Sequence, residues 1–149
     1  MERLYATMRL GDMICGVDAL AVQEVLRHQH MTRVPLAPAD VSGLINLRGQ
    51  VVTAIDLRQR LGLPPREDGQ ESMNLVVWTD EGSVSLLVDS IGDVVSVDED
   101  LLEPPPGTLE PEAAALVTGV FKLDGGLLLT LDIELPCRVT TREGVSATR

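Results

Sequence analysis

The sequence predicts an all-β protein built from two small five-stranded barrels packed side by side, and three observations predict it. About ten short apolar segments are separated by turn signals roughly every 8 to 12 residues, the spacing of sandwiches and barrels. Aliphatic residues dominate: apolar residues make up 44% of the 149, yet aromatics reach only 2% (Tyr5, Trp78 and Phe121). A core of Val, Leu and Ile suits half-buried pleated strands. The polar stretch Pro64 to Ser72, with Gly69 inside it, divides the segments into two sets of similar size. A chain of this length buries enough surface to need neither disulfides nor metals.

Taken in order, Leu4, Ala6, Met8 and Leu10 alternate with polar neighbours in the period of a strand. Gly11-Asp12 turns the chain into Met13 to Val17, a hairpin. Asp18 can cap a brief turn before Val22 to Leu26 alternates again. Pro35 and Pro38 punctuate a loop. The run from Val41 to Ile55 reads as two strands hinged at Arg48-Gly49-Gln50. Asp56 and Gln59 resemble a capping box for a short helix through Leu57 and Leu61, stopped by Gly62 and by Pro64-Pro65. Met73 to Thr79 and Ser83 to Val88 flank the turn Asp80-Glu81-Gly82, and Ile91 to Val97 forms a further strand. An acidic, proline-rich crossing runs from Asp98 to Pro111, followed by Ala113-Ala114-Ala115. A last hairpin, Val117 to Leu123 and Leu127 to Ile133, turns at Asp124-Gly125-Gly126. One domain is expected over 1–137, with its connector near 63–72 and a loose tail over 138–149.

Charge acts by exclusion. Twelve basic against 23 acidic residues give a net charge of −11, and no segment concentrates Lys or Arg. Such a chain is repelled by phosphate backbones and anionic lipid, so neither nucleic acid nor a membrane surface is an expected partner. No apolar run is long enough for a membrane span and no basic-then-apolar leader opens the chain, so a cytoplasmic protein is expected. Cys15 and Cys137 form no CxxC pair and read as free thiols of a reducing compartment. His28 and His30 share a strand face but lack a third metal ligand at suitable spacing. No nucleophile elbow or phosphate-cradling glycine loop is present. Asp56 and Asp89 each follow an apolar strand; a cap and a strand-end turn explain them more simply than an acid–base pair. No cofactor is expected.

The segment Gly43-Leu44-Ile45-Asn46-Leu47-Arg48-Gly49 resembles the G-x-x-N-L-R-G signature of the CheW family, followed by an apolar strand and Asp56-Leu57-Arg58. Upstream, Cys15-Gly16-Val17-Asp18 and Val22-Gln23-Glu24-Val25 are similar to its Y-G-I-D and V-Q-E-I segments, and Val34-Pro35 and Pro38 to its proline-bearing approach. Downstream, Leu87-Val88-Asp89-Ser90-Ile91 resembles V-V-D-x-V, and Thr118-Gly119-Val120 resembles T-G-x. The matches run in order from about Met13 to Asp132. The resemblance implies two SH3-like barrels and a non-enzymatic chemotaxis adaptor. Such an adaptor couples the cytoplasmic helical tip of methyl-accepting chemoreceptors to the regulatory domain of a CheA-type histidine kinase. It implies partner-binding roles for Val22, Glu24, Gly43, Asn46, Arg48 and Val88. The sequence departs from the family in three places: Cys15 replaces an aromatic, the N-terminal Phe is absent, and Pro136 interrupts the usual C-terminal helix.

For Arg48, a planar fork clamping a partner's carboxylate or carbonyls stands beside an internal tie between the two barrels. For Gly43 the expectation is close backbone approach or a bulge. Core packing is the default for Val41, Leu44, Leu86 and Val88. An adaptor of a pilus-motility or gene-regulatory pathway is the alternative of the same class. A small carboxylate enzyme using Glu24, Asp56 or Asp89 in the inter-barrel cleft, and a metal role for His28 and His30, are the alternatives of other classes.

Overall fold

The computed structural model describes residues 1–80 and 82–133; Cys137, Pro136 and the expected tail lie outside them. Among these residues, ten strands form two sheets. The first contains β1 (Glu2–Leu10), β2 (Met13–Asp18), β8 (Ser90–Asp98), β9 (Val117–Leu123) and β10 (Gly126–Leu131), in the order β8-β1-β2-β10-β9. The second contains β3 (Val22–Leu26), β4 (Val41–Leu47), β5 (Gln50–Asp56), β6 (Met73–Thr79) and β7 (Gly82–Val88), in the order β3-β6-β7-β5-β4.

This partition corrects the expected role of the connector. Residues 63–72 do not separate the two sheets; they return the chain from β5 to β6 within the second. Such a loop is needed because β5 and β7 pair in parallel, Thr53 opposite Val84 through Asp56 opposite Leu87, and parallel neighbours cannot be joined by a tight turn. The chain changes sheets at Asp18–Val22, through a single 3-10 turn (Ala19–Ala21), and again at Asp89.

The sheets are related. Each is a three-strand antiparallel run (β8-β1-β2, or β3-β6-β7) joined in parallel to a hairpin (β10-β9, or β5-β4). Position for position, β8, β9, β10, β1 and β2 correspond to β3, β4, β5, β6 and β7, so one sheet is a circular permutation of the other. The correspondence reaches single residues. Thr32 exchanges two backbone hydrogen bonds with Leu44, and Glu103 exchanges two with Val120. Gly43 and Gly119 sit immediately before those bridges.

Neither sheet closes: no ladder joins β8 to β9 or β3 to β4 among the described residues, which corrects the expectation of closed barrels. The segments running along the outer edges of β4 and β9 contain Pro35 and Pro38, or Pro104, Pro105 and Pro106. A proline has no amide hydrogen to donate, and each segment contributes one bridge instead of a strand.

The principal core lies between the sheets. Met8, Leu10, Cys15 and Val17 from the first meet Ile55, Leu75, Val77, Leu86 and Val88 from the second, with Leu57 and Leu116 from the helices and Leu61 just after the first of them. A smaller cluster of Tyr5, Phe121 and Leu128 fills the curl of the first sheet, against Val95 and Val97 of β8. The helix α1 (Leu57–Arg60) is a single turn. Asp56 caps it, accepting from the Arg58 amide at 3.0 Å. At its end Gly62, at φ +77, closes a Schellman motif in which the Gly62 amide donates to Gln59 and the Leu63 amide to Arg58. A second helix, α2 (Pro111–Leu116), precedes β9 with proline in its first turn.

Candidate interaction site at the mouth of the second sheet

The hairpin from β4 to β5 has a two-residue loop, since Leu47 pairs with Gln50. Arg48 and Gly49 therefore take left-handed conformations, φ +52 and +85, as a turn matching strand twist requires. Asn46 supports the turn by accepting a hydrogen bond from the Gly49 amide at 2.9 Å. Asn or Gly would suit the Arg48 position better; an arginine there costs about 1 kcal/mol. What the conformation achieves is direction. The guanidinium crosses the open mouth of the sheet and donates to Glu24 on β3, the opposite edge strand.

Arg48 thus ties two edges of one sheet, not two barrels to each other. The Arg48 side chain is 68% exposed and that of Glu24 22%, and an ion pair so open to solvent is worth less than about 1 kcal/mol. The pair therefore adds little to stability, and it holds a fork of donors beside a carboxylate at an accessible edge.

The other expected residues divide. Val22 is half-buried and packs against the principal core. Val88 is completely buried within that core, as is Leu86, and packs there instead of standing on the surface. Val41 also packs there, and Leu44 is half-buried. Gly43 meets both expectations: the register slips between Val41 and Gly43, and a Cβ at Gly43 would lie 2.6 Å from the Thr32 carbonyl oxygen.

Sequence reasoning missed the exposed apolar residues on the elements beside this site. Leu20 is 85% exposed on the 3-10 turn at Ala19–Ala21, whose first amides Asp18 caps through Leu20. That turn contacts both β1 and β6. Leu4 of β1 and Trp78 of β6 are also exposed, and Val22 pairs with Val77, next to Trp78. Leu4 and Leu20 are thus exposed on β1 and on the turn that touches it, whereas Trp78 alternates with core-facing Val77 and stands on the other face of β6, the face of Val76, which pairs with Glu24. The signal was present: an apolar residue inside a capped single turn has no core face to occupy.

The alternatives from other classes find little support. Asp89 accepts from Arg58 Nε at 2.8 Å and again from its Nη2, and the Gly11 amide donates to it at 2.7 Å. These bonds, led by Arg58, hold its carboxyl at about 2. Arg66 lies 2.9 Å from Asp89 and 3.2 Å from Asp56. Glu24 is taken by a different arginine. Carboxylates held in ion pairs do not form the proton-sharing pair that acid–base chemistry requires. Burial pushes the Cys15 thiol up to about 12, which removes it as a nucleophile. No group of three or more metal-ligating side chains exists among the described residues, which leaves His28 and His30 without a third ligand.

Against this geometry, the model of the CheW-like domain matches residues 4–136. The chain belongs to the CheW-like domain family. It is 29% identical over 133 residues to the probable chemotaxis protein CheW of Rhizobium etli, covering 89% of this chain and 86% of that one. With the chemotaxis protein CheW of Rhizobium meliloti it shares 30% over 132 residues, 89% and 85% of the two chains. The scaffolding protein TtCheW from Thermoanaerobacter tengcongensis superposes with a TM-score of 0.83 at 28% identity, over 98% of this chain and 97% of that one. The CheW-like chain is accordingly a chemotaxis adaptor of the scaffold kind. No helix among the described residues is long and apolar enough to cross a membrane.

Proposed function

We propose that this CheW-like protein works without catalysis in the cytoplasm, joining the helical tip of a methyl-accepting chemoreceptor to the regulatory domain of a CheA-type histidine kinase. The observation that carries the receptor half is the exposed Trp78, two residues along β6 from Val76, which pairs with Glu24 of the Glu24–Arg48 pair, with the exposed Leu20 on the turn that adjoins β6. A receptor tip is an amphipathic helix, and a helix docks by laying its apolar stripe against such a surface while polar groups at the rim fix its register. Trp and Arg are the residue types that dominate such contacts.

The test is binding of purified receptor-tip fragment and of kinase regulatory domain to the full chain, by calorimetry. Leu20→Asp puts a charge on this exposed apolar turn and is expected to weaken receptor binding by about tenfold or more, with melting temperature unchanged. Arg48→Gly removes the fork while suiting the turn, so it is expected to lose affinity for one of the two partners without losing stability. Wild-type affinity for both partners in both variants would refute the assignment.

A further inference from the structure

We propose that the segment from His28 to Leu36 is a second docking element, built to take an acidic protein segment that offers an apolar socket. In a chain of net charge −11, residues 27–39 contain Arg27, His28, His30 and Arg33 and no Asp or Glu. The acids on either side are already engaged: Glu24 by Arg48, and Asp40 by Arg60 at 3.2 Å. The local field is therefore cationic on an anionic molecule, and a carboxylate-bearing segment is the ligand it would attract. His28, His30 and Arg33 line one cleft of about 470 Å³, floored by Val41 and Ser42 of β4.

Next to this cleft stands an apolar knob. Leu36 is completely exposed, at 104%, and its backbone is left-handed at φ +66. That conformation is unfavourable for any residue but glycine or asparagine, and a leucine exposed in it contributes no core contact in exchange. Strain held at an exposed apolar side chain points to a use outside the fold. The loop is also held for presentation. Thr32 exchanges two backbone hydrogen bonds with Leu44, the Val41 amide donates to Pro38 at 3.0 Å, and the Ala37 amide donates to Val34. Pro35 and Pro38 flank the knob. A preformed loop loses little conformational entropy on binding. A second copy of the chain is the less favoured occupant, because two bodies of charge −11 repel.

This reading is independent of the receptor site proposed at Leu20 and Trp78, and its test keeps the two apart. The ¹⁵N-labelled full chain is titrated with a short peptide alternating glutamate and leucine, and with its lysine counterpart, at low and high salt. The acidic peptide alone is expected to shift the amide signals of His28, His30, Arg33 and Leu36, with the response fading at high salt. Arg33→Glu should abolish that response, and Leu20→Asp should leave it intact. Leu36→Gly should weaken it severalfold while raising the melting temperature by about 2 °C, because strain is relieved as the knob is lost. An equal response to the lysine peptide, shifts centred elsewhere, or no shift would overturn the proposal. So would a Leu36→Gly variant that melts lower and binds normally. Broadening of the same signals on concentrating the protein alone would make a second copy the occupant and overturn it equally.

Discussion

Asp89 stands where β7 of the second sheet passes into β8 of the first, and both sheets hold it. Its amide donates to the Arg9 carbonyl at 3.0 Å and its carboxylate accepts from the Gly11 amide, while Arg58 from α1 and Arg66 from the connector reach it from the other side. The carboxyl falls from 3.8 to about 2, chiefly through the Arg58 hydrogen bond and against a desolvation penalty. A lowered carboxylate value stabilises the fold above the unfolded-state value and loses that contribution as pH falls towards the folded one. The linkage is roughly 2 kcal/mol at neutral pH. Asp89→Asn leaves two arginines beside an uncharged amide and is expected to cost about 3 kcal/mol, seen as a lower urea midpoint at pH 7. The difference from wild type should shrink between pH 4 and about 2, and a pH-independent gap would show that the charge is not what matters. Asp89 was visible in the sequence as a strand-end acid. Its partners were not, because Arg58 and Arg66 meet it only through the parallel pairing of β5 and β7. Asp56 as a cap and Gly62 as a stop were legible, since both depend on neighbours within a few residues.

At the scale of elements, the segments flanking β4 and β9 show how one solution is used twice with different tolerance. At Gly43 a Cβ would meet backbone, the Thr32 carbonyl at 2.6 Å; at Gly119 it would meet the Leu102 side chain, Cδ1 at 2.3 Å and Cγ at 2.6 Å, and the bridged Glu103 carbonyl only at 3.0 Å. A half-exposed leucine side chain can move, and a bridged carbonyl yields less the closer the new atom is driven onto it. Gly43 also carries φ +157. Gly43→Ala is therefore expected to cost about 2 kcal/mol and to unseat the 28–36 loop, whereas Gly119→Ala should cost about 1 kcal/mol or less. Thermal denaturation checks the ranking, and amide exchange at Thr32 and Leu44 checks the unseating; equal penalties would contradict the geometry. Strand positions were readable from period-two alternation and turn residues, and the hairpin at Arg48-Gly49 from its glycine. The destination of each strand was not. The alternation of Leu75 and Val77 says that one face is buried, but it does not say which partner strand lies beside them.

For the whole molecule, the fact that escapes linear reading is that the two sheets differ in continuity. Every strand of the second falls within Val22–Val88, while the first is assembled from Glu2–Asp18 and Ser90–Leu131. Composition and turn spacing announced an all-β fold of ten short strands, and the resemblance announced the family. The connector at 63–72 looked like a boundary because it is polar and long, whereas the true boundaries are a three-residue turn and a single aspartate. Short crossings leave little compositional trace, so they are the hardest to read.

A protein made of one continuous and one interrupted sheet has a history each time it is synthesised. The strands of the second sheet leave the ribosome together and can pair at once. β1 and β2 precede those strands and pair with each other, yet they wait for β8 and β10, with the whole second sheet intervening. Closing so long a loop is slow, and preorganising what lies between its ends shortens the search. In refolding followed by pulsed hydrogen exchange, amides of β5, β6 and β7 are expected to gain protection before those of β1 and β10; simultaneous protection would refute the order. The surface that this makes vulnerable is the inner face of the second sheet, Leu75, Val77 and Leu86, which is not fully covered until the first sheet is complete. The early strands of this adaptor are thus spectators of their own fold, and the interval during which they wait is when the nascent chain is most open to aggregation.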